Sequence, residues 1–141
     1  MGGFQHILVP VDFTEKNEVA LSIAAELARQ SAGRITLLHV IETIDQAADE
    51  EIRQFYARLE AKAKKDMARI AAPLVEAGMS VGQELVFGKR GPEIVRHAAE
   101  RHVDLVVLSS HTLTPDDVHG GWATLSYQAA LFCPCPVLLV K

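Results

Sequence analysis

Val103-Asp-Leu-Val-Val-Leu-Ser-Ser-His-Thr112, then Ala123-Thr124, then Cys133-Pro-Cys-Pro-Val-Leu-Leu-Val140, form the stretch that decides the fold of this chain. It reads as a buried strand, a polar loop, a short helix and a final buried strand. The apolar run Val103–Leu108, interrupted only at Asp104, suits a strand covered on both faces, as in a parallel sheet. In an open α/β sheet, ligands sit where a loop leaves the carboxyl end of a strand and enters a helix. Loops of that kind hold phosphate through closely approached backbone N–H groups, which usually requires glycine. Here the loop's glycines, Gly120 and Gly121, stand away from the two junctions.

Working outward, helix and strand signals alternate. His6–Val11 is a short apolar run and reads as the first strand. Asp12 and Thr14 offer N-caps for a helix over about Glu15–Ser31, with Val19, Ile23, Leu27 and the intervening alanines as its buried stripe and Gly33 as its C-cap. Arg34–Val40 is a second β-rich run. Between Asp45 and Ala77, Ile52, Phe55, Tyr56, Leu59, Ala63, Met67, Ile70 and Leu74 recur at three- and four-residue steps, which predicts a long helix. Pro73 is placed to kink or break its last turn. Ser80–Phe87 is a third strand whose looser pattern suits a sheet edge. Pro92 suits the first turn of a helix running to about His102. Val103–Ser109 is the fourth strand, Trp122–Phe132 the last helix and Pro136–Val140 the last strand. Helical crossovers between strands require parallel neighbours and right-handed connections. The expected fold is therefore α/β: one doubly wound, five-stranded parallel sheet with helices on both faces, in a single domain over residues 1–141.

The chain has 141 residues, 49% hydrophobic and 23% charged, as in ordinary soluble domains. Its apolar runs are too short to span a bilayer, and no basic segment followed by an apolar stretch opens it, so a cytoplasmic location is expected. A net charge of −4 argues against nucleic acid as a partner, since that needs a basic footprint. Lys62, Lys64 and Lys65 alternate with Glu60 and Asp66 and read as a solvated helix face. Cys133 and Cys135 lie too close in sequence for an unstrained disulfide and read as reduced structural thiols. No metal site is expected.

Asp12 lies at the carboxyl edge of the first strand, where it can bond a ligand, hold magnesium beside a nucleotide, or serve only the turn. Ser109, Ser110, His111 and Thr112 put hydroxyls and an imidazole at the end of the fourth strand, able to bond phosphate oxygens or simply their own loop. Ala123, Thr124 and Leu125 open the last helix, where Thr124 can cap it or face an anion. Trp122 reads as a packing residue.

Together, His6-Ile-Leu-Val-Pro-Val-Asp12, Leu37-Leu-His-Val40, Gly91-Pro-Glu-Ile-Val95, Val103-Asp-Leu-Val-Val-Leu-Ser-Ser-His111 and Pro134-Cys-Pro-Val-Leu-Leu-Val140 resemble the universal stress protein family over essentially the whole chain. The resemblance implies an adenine-nucleotide-binding-like α/β domain, commonly dimeric, acting in stress adaptation. It implies base and ribose contacts at Pro10, Asp12 and Val40. One branch of the family binds ATP through G-x-x-G, nine residues, then G-[ST]; another lacks those glycines and does not bind it. Ser109 and Thr112 stand where this chain's first two glycines would be. Ala123-Thr124 stands at the final G-[ST], with one extra residue in the loop. A Cβ at each point narrows the space and disfavours the required turns by about 1 kcal/mol. Added together, these terms weaken binding by roughly 100-fold.

The expectation is a small, dimeric, universal-stress-protein-like module that acts by binding or regulation rather than turnover, with weak or absent ATP binding and no required cofactor. One alternative is an adenine-nucleotide-binding protein, or a slow ATPase, whose variant phosphate site uses Gly120, Gly121 and Thr124. A lower one is a hydrolase of a phosphorylated compound using His111 with Ser109 or Ser110. The homodimer is expected to form through the last strand (Val137, Leu138, Leu139 and Val140), since an open apolar edge otherwise invites aggregation. Protein partners are also possible.

Overall fold

Strand and helix alternate along the chain in a computed structural model that describes residues 2–43, 49–110 and 124–141. The elements are β1 (His6–Pro10), α1 (Lys16–Ser31), β2 (Arg34–Glu42), α2 (Glu50–Glu76), β3 (Ser80–Gly88), α3 (Arg90–Glu100), β4 (Leu105–Ser109), α4 (Leu125–Phe132) and β5 (Val137–Val140). Among the described residues all four strand pairings are parallel, in the order β3-β2-β1-β4-β5. The chain thus winds one way from β1 to β3 and the other way from β4 to β5. The reversal falls between β1 and β4, the place where such sheets bind ligands.

Side chains alternate across the sheet. Ile7, Val9, Ile35, Leu37, Leu105 and Val107 pack on the face covered by α1 and α2. Leu8, Leu38, Val40, Val106 and Leu108 pack on the other, against Ile94 and Ala98 of α3 and Ala129 of α4. β1 is buried at all five positions because it has a neighbour on each side and a helical layer above and below. β3 is an edge strand, as its looser pattern predicts.

Several local expectations shift. In α1 the intervening alanines Ala20, Ala24 and Ala25 are buried as expected, joined by Asn17, Leu21 and Ala28, whereas Ile23 and Leu27 are only partly buried and Val19 is 52% exposed. Small alanines let the helix lie close to the sheet, so the larger residues are turned to its flanks. Neither Asp12 nor Thr14 is the N-cap of α1. Glu15 is, in helical conformation and without a side-chain cap bond. At the other end Ala32, not Gly33, takes the left-handed C-cap conformation (φ 51°). Gly33 is needed for another reason: a Cβ there would collide with the carbonyl oxygen of Phe4. α2 starts at Glu50, capped by Asp49, whose carboxylate accepts the Ile52 N–H at 2.9 Å. Pro73 does not break α2, which continues to Glu76. Lying exposed near the end, Pro73 removes one ladder bond and buries no unpaired group. α3 begins earlier than predicted, at Arg90, and α4 begins at Leu125; residues 122 and 123 of its predicted first turn lie outside the described residues.

Candidate functional site

The β1–β4 ladder covers only Ile7 with Leu105 and Leu8 with Val106, whereas β1 pairs with β2 over five residues. Beyond Leu8 and Val106 the two strands are no longer registered, and a crevice opens at their carboxyl ends. Pro10, Asp12, Asn17, Val40, Arg90, Ser109 and Leu125 are among the residues around its cavity of about 40 Å³. A buried water needs about 10–15 Å³ on this scale, so the space holds roughly three. A second cavity of about 280 Å³, walled by Phe13, His39, Lys62 and Asp66, shares Val40 and Arg90 with it.

The turn leaving β1 is held by a residue absent from the expectations above. Asn17 lies in phase with Ala20, Leu21, Ala24 and Ala28 on the buried stripe of α1, at 4% exposure. A buried amide must be hydrogen-bonded. Its Oδ1 accepts the backbone N–H groups of Asp12 (2.9 Å) and Phe13 (2.8 Å), and its Nδ2 donates to Ser109 Oγ at 3.1 Å. Phe13 is thereby kept at φ 65°, a left-handed conformation that disfavours a bulky residue by about 1–2 kcal/mol. The Phe13 ring lies on His39 with centroids 4.4 Å apart. His39 in turn donates from Nδ1 to the Val11 carbonyl at 2.8 Å. Backbone strain of this kind concentrates at binding sites.

Asp12 closes the same turn, accepting from the Thr14 hydroxyl (2.7 Å) and N–H (3.0 Å). Burial works against its charge, but the Thr14 bonds and the positive charge of Arg90 outweigh burial and hold the carboxyl below its ordinary range. Asp12 is therefore ionised at neutral pH and still lines the crevice. Arg90, also absent from the expectations, is half-exposed and loosely paired with Glu42 at 3.5 Å. The doublet Lys89-Arg90 at a strand-to-helix junction was its only trace in the sequence.

The other site candidates divide. Pro10, Asp12, Val40, Ser109 and Leu125 meet at the crevice. Ser109 donates its hydroxyl proton to the Lys16 carbonyl (3.2 Å) while accepting from Asn17, which ties the start of α1 to the end of β4. Ser110 is buried below, accepting from Ser126 Oγ at 2.9 Å. Thr124 caps α4, its Oγ1 accepting the Tyr127 N–H at 3.2 Å. His111, Thr112 and Ala123, with Gly120, Gly121 and Trp122, lie outside the described residues. The residues present fit a nucleotide in part: an ionised acid and apolar walls suit the nucleoside. Each described hydroxyl of the phosphate end already bonds another protein group.

Cys133 and Cys135 are free and half-buried. Burial pushes the Cys133 thiol up to about 11, so it is a poor nucleophile. Among the described residues no group of three His, Cys, Asp or Glu side chains is arranged to hold a metal ion. Nor is any described helix long and apolar enough to cross a membrane.

Comparison with known proteins places this geometry. A relative from Methanocaldococcus jannaschii, universal stress protein MJ0577, is 27% identical over 128 residues, 79% of each chain. The solved structure of MJ0577 superposes with a TM-score of 0.82 at 28% identity, covering 99% of this chain and 97% of that one. Universal stress protein UspA from Lactobacillus plantarum has the same fold, with a TM-score of 0.83 at 22% identity and full coverage of both chains. Two further structures with this fold are a universal stress protein in complex with cAMP (TM-score 0.77, 19% identity, 99% of each chain) and one from Archaeoglobus fulgidus in complex with dAMP (TM-score 0.71, 20% identity, 99% of this chain and 100% of that one). The model of the universal stress protein family matches residues 3–141, so nearly the whole chain, with its β1–β4 crevice, belongs to that family.

Proposed function

We propose that this universal stress protein works by binding an adenine nucleotide rather than by turning one over, and that it prefers nucleotides with a single phosphate to ATP. Ser109 carries this reading. It stands at a phosphate-loop glycine of the ATP-binding branch, and its hydroxyl is already held between Asn17 and the Lys16 carbonyl. Pro10, Asp12 and Val40 keep the residue types of a nucleoside site around the same crevice. The structures bearing cAMP and dAMP support a one-phosphate ligand. Asp12 would accept ribose hydroxyls, or hold magnesium if a magnesium nucleotide binds. Calorimetry with AMP, cAMP, dAMP and magnesium-ATP tests this. Binding of a monophosphate with ATP at least tenfold weaker is expected, and micromolar ATP binding would overturn it. Steady ATP hydrolysis above an Asp12→Ala control would refute the non-catalytic part.

We infer a homodimer through β5. Among the described residues this strand ends the sheet with β4 as its only neighbour, and Leu138 is exposed upon it. Leu131 (58% exposed) and Phe132 (66%) extend the apolar surface along α4. Such an edge is a template for another strand. Light scattering should give twice 15.4 kDa. A 15.4 kDa species at micromolar concentration would remove the proposal. A cytoplasmic role in stress adaptation completes the reading.

A further inference from the structure

Among the described residues that line the crevice, Asp12 and Arg90 carry charge, and Arg90 is the cation. An anion entering there finds the other polar side chains occupied or hostile. Asp12 repels it. The Asn17 amide is held by the N–H groups of Asp12 and Phe13 and by Ser109, and the Ser109 hydroxyl donates to the Lys16 carbonyl. The Arg90 guanidinium is the group that can receive negative charge.

Arg90 also stands where the crevice widens. At about 40 Å³ the crevice is too small for a nucleotide, since ligand cavities run to about 300–1,000 Å³. A groove of about 680 Å³ lies between α3 and α4, lined by Lys89, Gly91, Pro92, Val95, Gln128 and Phe132 among others. Arg90 is a wall of the crevice, of this groove and of the 280 Å³ cavity beside Phe13 and His39. No other described residue lines all three. The backbone at this junction is fixed. Gly91 is buried, and a Cβ there would collide with the Gln128 side chain, so the start of α3 is pinned on α4. The Arg90 side chain is held far less firmly. It is 47% exposed and meets Glu42, itself 49% exposed, at 3.5 Å. An ion pair this long and this wet is weak. A guanidinium bonded through two N–H groups to one phosphate is shorter, stronger and matched in shape.

We propose that Arg90 binds the phosphate of the nucleotide, exchanging its loose pair with Glu42 for a two-point bond to the phosphate oxygens at the mouth of the crevice. The assignment rests on the nucleotide site proposed above and supplies the anion-binding group that Ser109 does not. One guanidinium matches one phosphate, in keeping with a monophosphate ligand.

Calorimetry of the full chain with adenosine and with AMP, at low and high salt, tests this. The wild type should bind AMP about tenfold tighter than adenosine, the worth of one charge-assisted pair. Added salt should erode that difference, because the pair is exposed. Arg90→Gln should lose about tenfold more affinity for AMP than for adenosine. Glu42→Gln, which frees the guanidinium, should tighten AMP about threefold. Equal affinity of the wild type for the two ligands would overturn the assignment and leave the nucleoside site standing. So would an AMP preference that survives Arg90→Gln, or a weaker AMP complex in Glu42→Gln. Failure to bind either ligand would instead sink the nucleotide site itself, and this assignment with it. If Arg90→Gln does not fold, the wild-type preference and its salt dependence decide.

Discussion

The two ends of the sheet solve the same problem in opposite ways. At the amino edge, His6, Thr36 and His97 are sealed beneath α3, and the polar atoms of His6 meet partners across a closed joint. At the carboxyl edge, Asn17 gathers the turn after β1 and the end of β4 around a crevice that stays open. Buried polar groups need partners wherever they occur, since a missing one costs about 1–3 kcal/mol. The difference lies in the strands. At the amino edge Asp104 of the β4 lead-in fastens to the N–H groups of Gln5 and His6, whereas beyond Leu8 and Val106 the β1–β4 ladder has ended. A parallel sheet that reverses direction has such a gap at one end, and polar side chains there can serve a ligand. At the other end they serve the fold.

The contrast is most severely tested at its hub. Asn17→Ala should destabilise the protein by about 3 kcal/mol in urea unfolding, because two backbone N–H groups and Ser109 lose their partner. A loss below about 1 kcal/mol would mean that Asn17 does not hold the turn. Next comes the phosphate end. Restoring the family glycines with Ser109→Gly, Thr112→Gly and Ala123→Gly should raise ATP affinity by up to ~100-fold in calorimetry, while loss of the Ser109 tie lowers stability by about 1 kcal/mol. Unchanged ATP affinity would show that something other than the missing glycines excludes the triphosphate. At the amino edge, Thr36→Val leaves Nε2 of His6 without its hydrogen-bond partner and should cost about 1–2 kcal/mol in urea unfolding. The smallest effect belongs to Thr124→Ala, about 1 kcal/mol, through loss of the α4 cap, read as a fall in Tm. An equal fall in AMP affinity would give Thr124 a ligand role as well.

Much of this was legible from the chain alone. The unbroken run Leu105–Leu108 marked a strand buried on both faces, and the regular alternation of periods two and 3.6 marked a doubly wound sheet. Pro10, Asp12 and Val40 were readable as candidate site residues through the family resemblance, and Asp12 also because it follows the end of the first strand. Asn17 and Arg90 were not. A polar residue in a helical stripe looks like a cap or a surface position until the strand it faces is known, and Arg90 resembles any solvated cation until Asp12 is brought near it. His6 and Thr36, which share a buried hydrogen bond, are 30 residues apart in sequence, so no local pattern could pair them.

The order of hydrophobic runs determined the fold class and the edge position of β3, because each follows from burial over a few consecutive residues, while the family was carried by the resemblance of whole motifs. Tertiary structure alone decided that the Ser109 hydroxyl is engaged, that Phe13 is held in a strained turn, and that His6 and Thr36 meet as a buried hydrogen-bonded pair. Those facts depend on distances between elements, set by how the alanine face of α1 and the last turn of α3 settle on the sheet.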